Sequence, residues 1–117
     1  MEMKKSKDNS EHYNWGNNCS GWHLVKSESL SVIEELMPPK TQEKKHYHNN
    51  AQQFFRIIKG VATFELENDI VEVEAGNGIH IPPKVKHRIR NNGSGSLEFV
   101  VISQPATWGD RIDVDNE

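Results

Sequence analysis

Two stretches, "VATFELE" at 61–67 and "IVEVE" at 70–74, alternate apolar and polar residues. A period of two puts one set of side chains on each face of an extended chain, which suits a half-buried strand and no helix. Further short runs rich in Val, Ile and Phe surround them: "SLSVIEELMP", "EKKHYH", "QFFRIIKG", "GIHIPP", "KHRIRNNGSG" and "LEFVVISQP". Glycine, proline or asparagine separates them, which is the punctuation of strands and turns. "ESLSVIEEL" can be drawn as a helix with Leu30, Ile33 and Leu36 on one face. The Pro38-Pro39 stop and the strand-rich surroundings favour a strand. About eight short strands in about eighty residues predict an all-β antiparallel sandwich or barrel.

The chain has 117 residues, enough for one domain. Apolar residues make up only 34%, but they concentrate between Leu30 and Ile102, so a single core is feasible. We divide the chain into a polar N-terminal extension at 1–20, one β domain at 21–111 and a C-terminal tail at 112–117. Residues 1–18 and 110–117 are expected to be mobile, and "NNGSGS" at 91–96 reads as a flexible hairpin loop. A net charge of -3 and scattered lysines and arginines exclude a nucleic-acid surface built on a basic stripe. One cysteine, Cys19, excludes an intrachain disulfide and reads as a buried or idle thiol. No apolar run is long enough to span a bilayer as a helix. The early lysines have no apolar segment behind them, so the N-terminus does not read as a secretory signal and a cytoplasmic protein is expected.

The residues with most chemistry are histidines. His46 and His48, two apart on a strand, project to one face, and Lys44 shares that parity. On the next run Gln53, Phe55 and Ile57 share a face opposite to Phe54, Arg56 and Ile58. His87 follows a proline turn and opens another strand. Spacing alone fits an exposed histidine pair better than a ligand pair. His80 lies between Ile79 and Ile81 and reads as structural, while His12 and His23 read as surface residues.

These positions also fit a longer pattern. His46-x-His48, four residues, Gln53, six residues and Gly60 form one motif. Gly76, five residues, Pro82, Pro83, Lys84, two residues, His87, three residues and Asn91 form a second. Both resemble the paired motifs of the cupin superfamily, in order and with matching internal spacing. The resemblance implies an antiparallel double-sheet jelly-roll barrel and a divalent transition metal (Zn, Ni, Fe, Mn or Cu) held by His46, His48, Gln53 and His87. Within such a fold, strand parity sets Phe55, Ile57 and Phe99 or Val101 along a pocket wall, where they also read as barrel core, and Lys44 at the pocket mouth; the resemblance further implies a homodimer.

Two positions depart from the pattern. Lys84 stands where glycine is usual, so the turn is expected to form without a left-handed residue. Gln53 stands where glutamate is more frequent. An amide oxygen can ligate, but it carries no charge and is no base near neutrality. The bound ion would keep its full charge and favour a small, oxygen-rich, anionic ligand such as a sugar acid or keto acid. Two function classes follow. One is an enzyme, either an isomerase or epimerase working through an enolate or a metal-dependent dioxygenase. The other is a module that binds metal or ligand without turnover; a metal-free scaffold fits the motifs least. No proton-transfer residue is apparent among Glu65, Glu67 and Glu98. A buried Glu, Lys or Tyr beside the histidines would mark the enzyme.

Overall fold

The computed structural model describes residues 2–114. Its largest sheet has six strands in the order β1 (Glu11–Trp15), β2 (Cys19–Lys26), β3 (Ser31–Met37), β11 (Leu97–Gln104), β6 (Gln52–Lys59) and β9 (Gly78–Ile81). A second sheet orders β4 (Thr41–Gln42), β10 (Arg88–Asn91), β7 (Val61–Glu65) and β8 (Ile70–Glu74), and β12 (Arg111–Asp113) pairs with β5 (His46–His48). Every ladder is antiparallel. This is the expected antiparallel double-sheet jelly roll, although its sheets do not join into one closed barrel. Among the described residues the only helical element is a 3-10 turn, Lys7–Asn9, and no helix is long and apolar enough to cross a membrane.

The alternation read from the sequence decides which side chains form the core. On β6, Gln53, Phe55 and Ile57 are buried, whereas Phe54 and Ile58 are exposed on the outer face. On β11, Leu97, Phe99 and Val101 are buried in the same way. Phe55 touches Phe64 of the facing sheet at 5.1 Å between ring centroids, and Phe99 of the neighbouring strand at 5.8 Å. Met37, Ile89 and the thiol of Cys19 complete the packing between the sheets. "SVIEELM" is a strand, β3, ending just before Pro38-Pro39, which cannot continue a ladder.

Four local expectations change. The boundary at residue 20 falls inside β2, and β1 lies within the supposed extension, paired with β2 from Glu11↔His23 to Trp15↔Cys19. Gly16 and Asn18, both at positive φ, turn the chain between these strands. At the other end, β12 crosses the boundary at 111; residues 115–117 lie outside the described residues. The 91–96 segment is no hairpin, because β10 belongs to the four-stranded sheet and β11 to the six-stranded one. The Asn91 amide donates to the carbonyls of Met37 (2.9 Å) and Gly95 (2.9 Å), pinning that crossing. Lys84 adopts φ +70 itself, so the turn keeps its left-handed residue without glycine. The Lys84 amide donates to the carbonyl of His48 at 2.7 Å, which ties the turn to the histidine strand.

Candidate metal centre

The double-sheet fold curls β5 against the start of β10. His46 and His87 exchange backbone hydrogen bonds of 3.0 and 2.9 Å, forming an isolated antiparallel bridge. That bridge brings together two rings separated by about forty residues of chain. His48 enters from the same face of β5 as His46. Ring centroids lie 5.0 Å apart for His46 and His48, 4.5 Å for His46 and His87, and 5.9 Å for His48 and His87. One ring nitrogen from each falls within 4.8 Å of the others, and all three residues are buried.

Hydrogen bonding orients two of these rings. Nδ1 of His46 meets the carbonyl of Lys44 at 2.8 Å, and Nδ1 of His87 meets the carbonyl of Val85 at 2.9 Å. A carbonyl only accepts, so each Nδ1 carries the proton and each Nε2 keeps its lone pair. Nε2 of His87 and both nitrogens of His48 are buried with no protein partner. Gln53 donates through Nε2 to Oγ of Ser103 at 3.0 Å, which leaves its Oε1 buried and unpartnered. Unmet buried polar atoms cost roughly 1–3 kcal/mol each, so several in one place point to a group that satisfies them. A divalent transition metal fits this donor set, since imidazole and amide oxygen are both competent ligands.

Electrostatics favour the ligating form. Burial, followed by the proximity of His87, lowers His46 to about 3 and His48 to about 4. Burial lowers His87 as well. All three rings are therefore neutral at neutral pH, as a metal ligand must be.

A cavity of about 140 Å³ opens beside His46, His48 and Gln53. Phe55 and Phe99 line it. Ile57 does not, because it lies one step deeper along β6 and is fully enclosed in the core. Lys44 also departs from expectation. Residues 43–45 are not in a strand, so the parity that placed its side chain at the mouth does not apply, and that side chain is exposed. Its contribution is the carbonyl that orients His46.

Four residues of the cavity carry chemistry that sequence reading did not assign: Tyr13, Glu35, Glu43 and Arg111. Glu35 sits on β3 with the parity of Ile33 and Met37, an inward position that alternation could have revealed. Burial, and then the charge of Glu43, raises it to about 8. Glu43 is raised to about 7 by burial, against the opposing pull of Arg111 and of the Ile89 amide, which donates to its Oε1 at 3.2 Å. Tyr13 reaches the cavity over Gly21, where a Cβ would overlap its ring. Arg111 donates to Oδ1 of Asp113 at 2.8 Å and pairs across the ladder with His48. His80 lies away from the cavity and contacts Oε1 of Gln52 at 2.9 Å, in keeping with a structural role.

Comparison with known proteins places this geometry in context. The family model described as "Cupin domain" matches residues 33–103. An uncharacterised protein of Methanocaldococcus jannaschii is 30% identical over 83 residues, covering 71% of this chain and 66% of the relative. The polyketide synthase CurC of Streptomyces cyaneus is 27% identical over 70 residues, covering 60% of this chain and 46% of the relative. The chain thus spans two thirds or less of these two relatives. Among solved structures, a Streptomyces PAC13 variant with uridine superposes with a TM-score of 0.81 at 18% identity, covering 97% and 92% of the two chains. PAC13 is described as a nucleoside dehydratase. The polyketide cyclase RemF of Streptomyces resistomycificus superposes with a TM-score of 0.82 at 14% identity, covering 100% and 88%. At these identities the structures share the fold.

Proposed function

The chain belongs to the cupin family, and from that premise we propose that it is a metal-dependent enzyme acting on a small oxygen-rich molecule, sugar-like or keto-acid-like. His46, His48 and His87 would hold one divalent transition ion, with Oε1 of Gln53 as the fourth protein donor. The observation that carries this reading is the convergence of buried imidazole nitrogens that have no protein partner. When bound, such an ion supplies Lewis acidity to an oxygen of the ligand.

The remaining work falls to the chain's own side chains. Every proposed donor is neutral, so the centre favours an anionic or oxygen-rich ligand, and Arg111 adds a second cation nearby. Phe55 and Phe99 give the cavity an apolar wall and exclude water from one side. A volume near 140 Å³ admits a body of roughly six heavy atoms, since a cavity of about 150 Å³ takes benzene. Glu35 and Glu43 supply exchangeable protons inside the cavity, which favours turnover over passive binding and proton transfer over oxygen insertion. The names of PAC13 and RemF, a nucleoside dehydratase and a polyketide cyclase, accord with non-oxidative chemistry on oxygenated molecules in this fold. The exposed Phe54 and Ile58 on the outer face of the large sheet support a homodimer, which light scattering tests directly.

Elemental analysis of the purified protein tests the central claim. About one equivalent of a transition metal is expected, and His48→Ala should lose it while keeping the β-sheet circular dichroism. A wild-type protein that takes up no metal from a stoichiometric supply, or a variant that holds it as well as the parent, would contradict the reading.

A further inference from the structure

The cavity contains a second chemical device besides the imidazoles. Glu35 and Glu43 line it together with His46 and His48. Both also line an adjoining cavity of about 170 Å³ with Tyr13, Trp15 and Arg111. Glu35 points inward from the middle of β3. Glu43 is fixed twice to one residue, its amide donating to the carbonyl of Ile89 and its Oε1 accepting from the amide of Ile89, both at 3.2 Å. Two carboxyls thus enter one partly enclosed space, one from β3 and one from the segment that joins β4 to β5.

Resting on the enzymatic reading above, we propose that Glu35 and Glu43 act as one acid–base pair on a small hydroxycarbonyl ligand. Glu43 takes the proton from the carbon beside the carbonyl, and Glu35 gives one to the carbonyl oxygen.

The surroundings assign the roles. Arg111 favours the ionised form of both carboxyls, as Trp15 does for Glu35; what distinguishes Glu43 is the Ile89 amide and, more weakly, Arg88, with Asp113 opposing. Glu43 therefore ionises first, and its charge then helps Glu35 to keep its proton. Tyr13, itself raised by burial and by both carboxylates, stays a neutral donor beside them. Cys19, raised by burial and then by both carboxylates, stays a thiol. In the metal-free protein one carboxylate and one carboxyl coexist near neutrality, the pairing that acid–base work requires.

The step balances without an outside reagent. The C–H bond breaks, its proton goes to the carboxylate of Glu43, and its electron pair forms a C=C bond. The carbonyl electrons move onto oxygen, which takes the proton of Glu35 to give an enediol. In the second half, Glu35 removes the proton of the neighbouring hydroxyl, whose oxygen becomes the new carbonyl. Glu43 then returns its proton to the former carbonyl carbon. The net change is a hydrogen shift between adjacent carbons, and both glutamates are reset.

The test has two arms. In protein labelled with ¹³C at the glutamate carboxyls, NMR from about pH 4 to about pH 10 follows each titration, with Glu35→Gln and Glu43→Gln spectra giving the assignments. Two carboxyls should titrate far above the ordinary range, and the Glu35 step should move down in Glu43→Gln because the neighbouring charge is gone. The second arm uses glyceraldehyde in D₂O with metal-loaded protein and reads deuterium uptake beside the carbonyl. Each variant should slow uptake on the order of 10²-fold or more, with metal content unchanged. Two carboxyls titrating in the ordinary range, no uptake by the wild-type protein, or Glu43→Gln exchanging at the parental rate would each overturn the proposal. Failure to bind metal would instead strike the reading of the histidines, because the titration arm needs none.

Discussion

Glu35→Gln should make the protein's stability nearly indifferent to pH across a range where the parent's is not. A carboxyl whose folded value is raised from 4.5 to about 8 folds most favourably in its protonated form. Its contribution is fully present below 4.5 and is lost as pH rises through about 8. Glu43, raised to about 7, behaves alike over a narrower span. The histidines carry the opposite sign. His46, His48 and His87 are lowered from 6.5, so they cost stability only as pH falls below 6.5. Cys19 and Tyr13, raised from 9.0 and 10.0, enter only above those values. Between pH 6.5 and 8 the two carboxyls are thus the shifted groups in play. Over those 1.5 pH units, at about 1.36 kcal/mol per unit, Glu35 withdraws about 2 kcal/mol and Glu43, over its first half unit, under about 1 kcal/mol. Urea unfolding of metal-free protein at several pH values across this window measures the slope. The parent should lose roughly 2–3 kcal/mol, and Glu35→Gln under about 1 kcal/mol. Parallel slopes for the two proteins would show that Glu35 ionises freely in the folded state and would refute the placement of its carboxyl in a desolvated cavity.

Three further outcomes are expected. Gln53→Glu should keep the metal but weaken oxalate, used as an anionic probe, by about tenfold or more through the added negative charge, equal oxalate affinities by calorimetry speaking against a neutral donor set. Asp110→Ala removes the carboxylate that accepts from the amides of Asn50 (3.1 Å) and Ala51 (2.9 Å), between the strands carrying His48 and Gln53. It should cost about 1–3 kcal/mol in urea unfolding and lower metal affinity about 10-fold in a chelator competition; unaltered affinity would show that this segment does not position the ligands. Phe99→Ala empties a site that is 1% exposed, so it should cost about 3–5 kcal/mol in the same unfolding experiment, and a loss below about 1 kcal/mol would contradict the packing of Phe55 on Phe99.

Strand identity was legible wherever one face meets the core and the other meets water, because alternation then records burial directly. β6, β8 and β11 follow that rule, whereas β3 was legible from the Pro38-Pro39 stop and its strand-rich surroundings. The histidine cluster was legible through motif spacing, which stands in for the long-range bridge between His46 and His87. Strands β1 and β2 were not recognised. Their partly exposed aromatics, Trp15 and Trp22, occur among polar residues, and the Gly16-Asn17-Asn18 turn was the cue that could have exposed the hairpin. Lys44 was misplaced for a related reason. Parity counting took 43–48 as one unbroken strand, whereas the chain leaves the ladder at Gln42 and rejoins one only at His46.

The unassigned cavity residues share a cause. Tyr13 comes from the first strand and Arg111 from the last, and neither has a local pattern that marks it as functional. They meet because β1 is an edge strand of the large sheet, while β12 pairs with the histidine strand, bringing the two ends of the chain to one mouth. Glu35 looks like one half of a solvated Glu-Glu pair until β3 is given a face. Once Ile33 and Met37 point inward, Glu35 must point inward with them, and the cost of burying a carboxylate there converts it into a carboxyl. A carboxyl kept protonated in this way, next to one that ionises first, can take part in proton transfer near neutral pH; the same two residues on the outer face would only improve solubility.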